Sequence, residues 1–229
     1  MKTLLSTLFL IVLLTGCQAV PRPSGVGEVR PAGDQEIALP EGKRYRIDEQ
    51  ASDIRIVVYP GGTLARFGHA HVIGGAVVSG TVVAAEPFEA SGLSLVINVP
   101  AMEVDRPAWR LDEGFDPELP DSAVEGTREN LLSDQVLNAE QYPEIRIDSL
   151  SISGPAWQPD IELSIELRGE RREVTVPIAL DHTETALTAT GQFRFRQSDF
   201  GMEPFSALGG RLAVADEVLV RFRLIARAE

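Results

Sequence analysis

The run Ile161-Glu162-Leu163-Ser164-Ile165-Glu166-Leu167-Arg168-Gly169-Glu170 decides the architecture. Apolar side chains stand at every second position, and polar ones fill the places between. A period of two is that of a β-strand with one apolar face and one wet face; a helix would repeat about every 3.6 residues. Arg168-Gly169-Glu170 then marks a reversal, because glycine supplies the positive φ of a tight hairpin. Beyond it, Val174, Val176, Ile178 and Leu180 resume the alternation. This stretch predicts an antiparallel hairpin whose one face is buried.

Working outward, the same period returns. Ile54, Ile56 and Val58 alternate, as do Leu93, Leu95, Ile97 and Val99. Phe193 and Phe195 follow the pattern, and so do Val218, Val220, Phe222 and Leu224. Gly61-Gly62, Gly74-Gly75 and Gly209-Gly210 separate the runs as turns. Many similar strands joined by short turns predict a barrel or a sandwich. Residues 106–142 break the rule. Pro107, Pro117 and Pro120 predict an irregular loop, and Ser122 to Leu132 a helix of about two to four turns ending near Asn138. Such a helix and loop could cap the mouth of a barrel. Trp109, Phe115 and Trp157 fall in or near loops, as lids over a ligand or as core.

The amino-terminal end reads differently. Lys2 is the sole charge before residue 22, and an apolar run from Leu8 to Leu14 follows it. The run is short for a bilayer span. Leu14-Thr15-Gly16-Cys17 resembles the lipobox of bacterial lipoproteins. The resemblance implies a signal peptide over residues 1–16, cleavage before Cys17 and lipidation of Cys17. The other reading is a plain secretory signal with a leftover thiol. Each buried CH2 of an acyl chain contributes about 0.8 kcal/mol, so two or three chains anchor firmly. Gln18, in place of an aspartate, favours the outer membrane, facing the periplasm. Prolines and glycines recur from Pro21 to Gly42, so residues 17–42 are expected to form a flexible tether ahead of a domain over 43–229.

Charge and cysteine usage exclude other classes. Lys plus Arg number 21 against 34 Asp plus Glu, a net charge of -13, which disfavours nucleic acid as a partner. With one cysteine there is no intramolecular disulfide and no cysteine-based zinc site.

Several strings, kept in order over roughly residues 43–228, resemble the YceI family of periplasmic lipocalin-like proteins. They are Tyr45-Arg46-Ile47-Asp48, Arg66-Phe67-Gly68-His69-Ala70-His71, and Thr127 to Leu132 running on to Tyr142-Pro143-Glu144-Ile145. Leu163 to Gly169 and Ser198-Asp199-Phe200-Gly201 complete the set. The resemblance implies an all-β fold, an extended eight-stranded antiparallel barrel with one short helix alongside. It also implies an apolar tunnel that in some members holds an isoprenoid quinone or polyprenyl phosphate. Eight strands enclose room for about one slim ligand. Two departures stand out: Gln197 occupies a place where members often carry arginine, and His69-x-His71 replaces a single histidine.

Candidate site residues follow. His69 and His71, two apart on an expected strand, share a face. Facing inward, they would contact a ligand head group or, with His182 or a carboxylate, hold a metal; structural hydrogen bonding is the third reading. Arg66 and Arg128 suit a phosphate or quinone oxygen, or a salt bridge. Phe67 and Phe200 are the apolar candidates in the same strings. Asp199-Phe200-Gly201 is expected to form a tight bend with Asp199 satisfying backbone donors. No Gly-x-Ser-x-Gly string or nucleotide loop occurs, and nothing positive points to an enzyme. The expectation is an envelope lipoprotein that binds or carries an isoprenoid or fatty small molecule, with no other cofactor. The alternatives are a redox or metal protein built on His69 and His71, and a structural or envelope-stress protein with a filled barrel. Exposed sheet edges leave a homodimer open.

Overall fold

The computed structural model describes residues 29–33, 37–207 and 209–229; the expected signal peptide and Cys17 lie outside them. In chain order the first strands are β1 (Arg30–Pro31), β2 (Lys43–Ile47), β3 (Asp53–Gly61), β4 (His71–Gly74), β5 (Val78–Ala84), β6 (Gly92–Asn98) and β7 (Glu103–Val104). Helices α1 (Pro107–Asp112) and α2 (Asp121–Leu132) follow. The remaining strands are β8 (Glu144–Ser153), β9 (Asp160–Leu167), β10 (Glu170–His182), β11 (Ala186–Arg196), β12 (Ser206–Ala207) and β13 (Leu212–Ala228).

Eight of these close a barrel in the order β2-β5-β6-β8-β9-β10-β11-β13 and back to β2, every pairing antiparallel. The fold is the all-β barrel that the alternating runs predict. The hairpin from β9 to β10 shows why it forms locally. Leu167 faces Glu170 across a two-residue loop, with Arg168 at φ 57° and Gly169 at φ 76°. Two positive φ values in succession make a type I′ turn, whose twist matches the strands it joins.

The strand β13 branches the sheet. One side pairs with β11 along its length; the other takes β2 at Ala226–Ala228 and β3 at the earlier residues. Through β3 the sheet extends to β4 and β7. Ile54, Val58 and Ile73 join the inner core, whereas the register partners Val57 and Val72 are buried on the other face. Helix α1 packs on β4 and covers that outer face. The loop expected over residues 106–121 thus contains a helix. Pro107 starts it, since proline at the first helical position lacks only an N–H that would be unpaired anyway.

Helix α2 ends at Leu132 rather than near Asn138, because the backbone turns extended at Ser133, at φ -65° and ψ 166°. The segment after α2 folds inward: Leu131, Val136, Leu137 and Ala139 are buried with Val99 and Met102. Arg168 pins it, donating to the carbonyls of Asp134, Gln135, Val136 and Gly201 at 2.6–3.2 Å. Within the expected tether, Arg30 and Pro31 add a short strand to β10, at Glu173 and Arg172. They do so where β10 has left β11, which it pairs with only from Ile178 onward.

Candidate functional site

The barrel is hollow. A cavity of about 920 Å3 runs inside it, lined along its length by the side chains that the alternating pattern turns inward. Leu163, Ile165, Leu167, Val176, Phe195 and Val220 are representative of this wall. Its volume falls within the roughly 300–1,000 Å3 common for small-molecule sites. A filled barrel, one of the readings from sequence, does not describe this interior. Gly191 helps keep Phe222 on the wall: a Cβ there would lie 2.7 Å from the Phe222 ring, so only glycine leaves the ring its place.

The two ends differ. At the end bearing Arg168, the buried residues that follow α2 fill the interior, and none of them lines the cavity. The helix therefore caps the end away from the mouth, not the mouth. At the other end the lining becomes polar: Glu41, Lys43, Glu86, Ser91, His182 and Glu184. These come from the start of β2 and from the connections β5–β6 and β10–β11, and form the rim. Trp157 stands in the neighbouring β8–β9 loop, 68% exposed, between the cavity-lining Ala156 and Pro159. Trp109 by contrast is buried in α1, and Phe115 is half-buried, edge-on to Tyr59 at 6.1 Å.

Of the six side chains expected at a ligand, Phe200 lines the cavity and is fully buried, edge-on to Phe195 at 5.3 Å. Arg66, Phe67, His69, His71 and Arg128 are not among the lining residues. Arg66 lies over the exposed ring of Phe67, 4.6 Å from its centroid. Arg128 donates to the Pro100 carbonyl at 2.8 Å. His69 is exposed and precedes β4, which begins at His71, so the two histidines do not share a strand face as expected. Asp199 forms the bend expected of it: its carboxylate accepts from the Arg196 backbone N–H, and Gly201 follows at φ 67°. Gln197, the departure from the family string, is buried and donates to the Ala215 carbonyl at 2.8 Å.

His71 makes structural hydrogen bonds, the third of the readings given for it, with partners that the sequence did not mark. Its Nδ1 lies 2.6 Å from Oδ2 of Asp105, whose side chain is completely buried. Oδ1 of Asp105 accepts from the Val72 backbone N–H at 2.9 Å and from Arg110 at 2.8 Å. Arg110, also buried, donates further to the carbonyls of Ala70 and Asp116, each at 2.6 Å. Burial pushes the Asp105 carboxyl upward, but the hydrogen bonds from His71, Val72 and Arg110 outweigh it and hold the group below the usual carboxylate value. This network ties α1 and its loop to β4. No period marks Asp105 or Arg110 in the sequence, and Asp105 is 34 positions from His71.

The metal reading joined His182 or a carboxylate to His69 and His71, and His182 lies far from them. Val58, the register partner of His71, meets β13 at Val218, while Leu187, the partner of His182, meets it at Ala226. Eight residues of strand separate those points, on the order of 25 Å, far beyond shared coordination. Among the described residues no cluster of three or more His, Cys, Asp or Glu is placed to hold a metal ion.

His182 and Tyr45 instead meet at the rim. The Tyr45 hydroxyl lies 3.3 Å from Nε2 of His182, and the rings stand edge to face at 6.2 Å. Tyr45 opens the first family-like string; nothing in the sequence marked His182 as its partner.

Known proteins share the fold. A solved structure of BcnA from Burkholderia cenocepacia superposes with a TM-score of 0.59 at 16% identity, covering 78% of this chain and 98% of that one. A YCEI protein from Campylobacter jejuni matches with a TM-score of 0.48 at 11% identity, over 66% of this chain and 81% of that one. No curated protein matches the sequence. The model of the YceI-like domain matches residues 45–226, from the buried Tyr45 at the rim to Ala226 near the end of the closing strand, and the chain belongs to that family.

Proposed function

We propose that this chain is an envelope lipoprotein, held through Cys17 at the outer membrane and facing the periplasm, whose barrel binds or carries an isoprenoid or similarly apolar small molecule. The observation that supports it is the hollow itself: about 920 Å3, apolar along its length, with its polar side chains gathered at one end. Each methylene moved from water to such a wall gains about 0.8 kcal/mol, so a long hydrocarbon is held by burial alone. Membership of a family of isoprenoid- and lipid-binding proteins supports the same reading. The test is solvent extraction of the purified protein followed by mass spectrometry, with uptake of added polyprenyl and quinone species measured in parallel. A co-purifying long-chain lipid at near-stoichiometric level is expected. Repeated absence of lipid together with no uptake would remove the reading.

A further inference from the structure

The outer wall of the barrel carries a second hollow, a groove of about 720 Å3 that shares only Ile178 and Phe222 with the lumen. Its floor is the wet face of β3, β13, β11 and β10; Glu113, just past α1, and Gln158, in the β8–β9 loop, stand at its sides. Val220 and Phe222 line the lumen, so Arg221 and Arg223 turn outward. Register sets Arg221 directly opposite Arg55 of β3, with Arg223 two places along on the same face. Arg194 joins them from β11, across from Leu219. Like charges at facing strand positions are destabilising. Four arginines gathered in one groove, on a chain of net charge -13, therefore answer no need of the fold.

The nearby carboxylates hold these arginines without exhausting them. Arg55 lies between Asp53 at 2.8 Å and Asp112 at 2.9 Å. Arg221 donates through Nη1 to Glu113 at 2.6 Å, and Arg194 through Nη1 to Glu217 at 2.9 Å. Their remaining N–H groups have no partner among the described residues, and the guanidinium of Arg223 has none at all there. The side chains of Gln158, Thr175, Thr190 and Gln192 line the same groove and are likewise unpartnered among the described residues. Amides and hydroxyls both donate and accept, which suits the hydroxyls of a sugar; a guanidinium fork suits a carboxylate. A lone small anion would leave most of the groove empty, because about 720 Å3 is the size of a whole small-molecule site. We propose that the groove binds an acidic oligosaccharide, its carboxylates taken by Arg194, Arg221 and Arg223 and its hydroxyls by the amide and threonine side chains beside them. This site lies outside the barrel and does not depend on what the lumen holds.

The experiment titrates the purified full chain by calorimetry at low salt with three probes: trigalacturonate, its methyl-esterified form and triglutamate. Trigalacturonate should bind at least about tenfold more tightly than the ester, which lacks the charge, and than triglutamate, which lacks the hydroxyls. Arg223→Gln removes no contact within the protein, so the unfolding midpoint should hold while trigalacturonate binding weakens by about tenfold. Arg211→Gln removes the same charge just before β13, outside the groove, and should leave binding unchanged. No binding of trigalacturonate, equal binding of acid and ester, or binding that survives Arg223→Gln would overturn the proposal. Equal weakening by Arg211→Gln would reduce the effect to bulk charge and overturn it as well. Tighter binding of triglutamate would replace the saccharide with an acidic peptide.

Discussion

Arg110 and Asp105, five residues apart, meet in an ion pair from which solvent is excluded: Nη1 stands 2.8 Å from Oδ1, with the side chains 3% and 0% exposed. A buried pair that loses one partner strands the other charge, which costs about 3–5 kcal/mol. Asp105→Asn is therefore expected to lower unfolding free energy by about that amount, read from urea denaturation. A loss below about 1 kcal/mol would show that the remaining carbonyl contacts of Arg110 suffice on their own.

The same carboxylate sets an acid limit. Its folded value lies below the ordinary 3.8, held there by His71, Val72 and Arg110 against the cost of burial. A depressed folded value contributes stability that is complete above the unfolded value and is lost as pH falls through the folded one. Stability should therefore decline as pH drops below 3.8, with protons taken up on unfolding, and the slope should flatten in Asp105→Asn. Equal slopes for the two proteins in that window would assign the acid sensitivity to other groups.

Leu163 lines the cavity midway along β9. Leu163→Trp places a large ring in empty space rather than in packed core, so stability should change by only about 1 kcal/mol. Uptake of the neutral probe N-phenyl-1-naphthylamine should fall by at least about tenfold. Unchanged uptake would mean that the probe sits elsewhere than in the lumen.

Arg168 holds a left-handed backbone at φ 57° and at the same time clamps the segment after α2 through three carbonyls, with a fourth bond to the carbonyl of Gly201. Arg168→Ala should cost about 2–3 kcal/mol and speed amide exchange over residues 134–139, because charge-assisted bonds are lost. Arg168→Gly loses the same bonds but relieves the strain of a non-glycine residue at positive φ, so it should be the milder change by about 1 kcal/mol. The reverse order would mean that the left-handed backbone at this position stores no strain for glycine to relieve.

On the proposed lipidation of Cys17, Cys17→Ser should release the protein from the membrane fraction, because acyl chains there would supply the anchoring free energy. Fractionation with metabolic fatty-acid labelling reads both effects together. Retention of the variant in the membrane would exclude lipidation as its anchor.

The hairpin of β9 and β10 was legible because two independent signals coincide there: a period of two, and a glycine where the turn needs positive φ. The barrel follows from repeating that logic. Helix α1 was not legible, because proline read as a breaker is equally at home in the first helical turn. The histidine pair misled for a physical reason. Spacing of two implies a shared face only inside a strand, and β4 begins at His71, where it pairs with Val58 and where the carboxylate of Asp105, far away in sequence, holds it. The hollow was the hardest feature to read. Alternation says which side chains point inward, but whether they meet across the lumen depends on packing between strands that no local pattern records. The rim pair was hidden in the same way: Tyr45 and His182 are 137 positions apart and meet only once the sheet has closed.

One consequence of the plugged end concerns traffic. If the barrel carries the guest proposed above, a tube closed at that end would take it in and release it through the one rim, so cargo could not be threaded from one side to the other. A donor and a recipient would then have to come to the same doorway, and each would meet the trailing end of the guest.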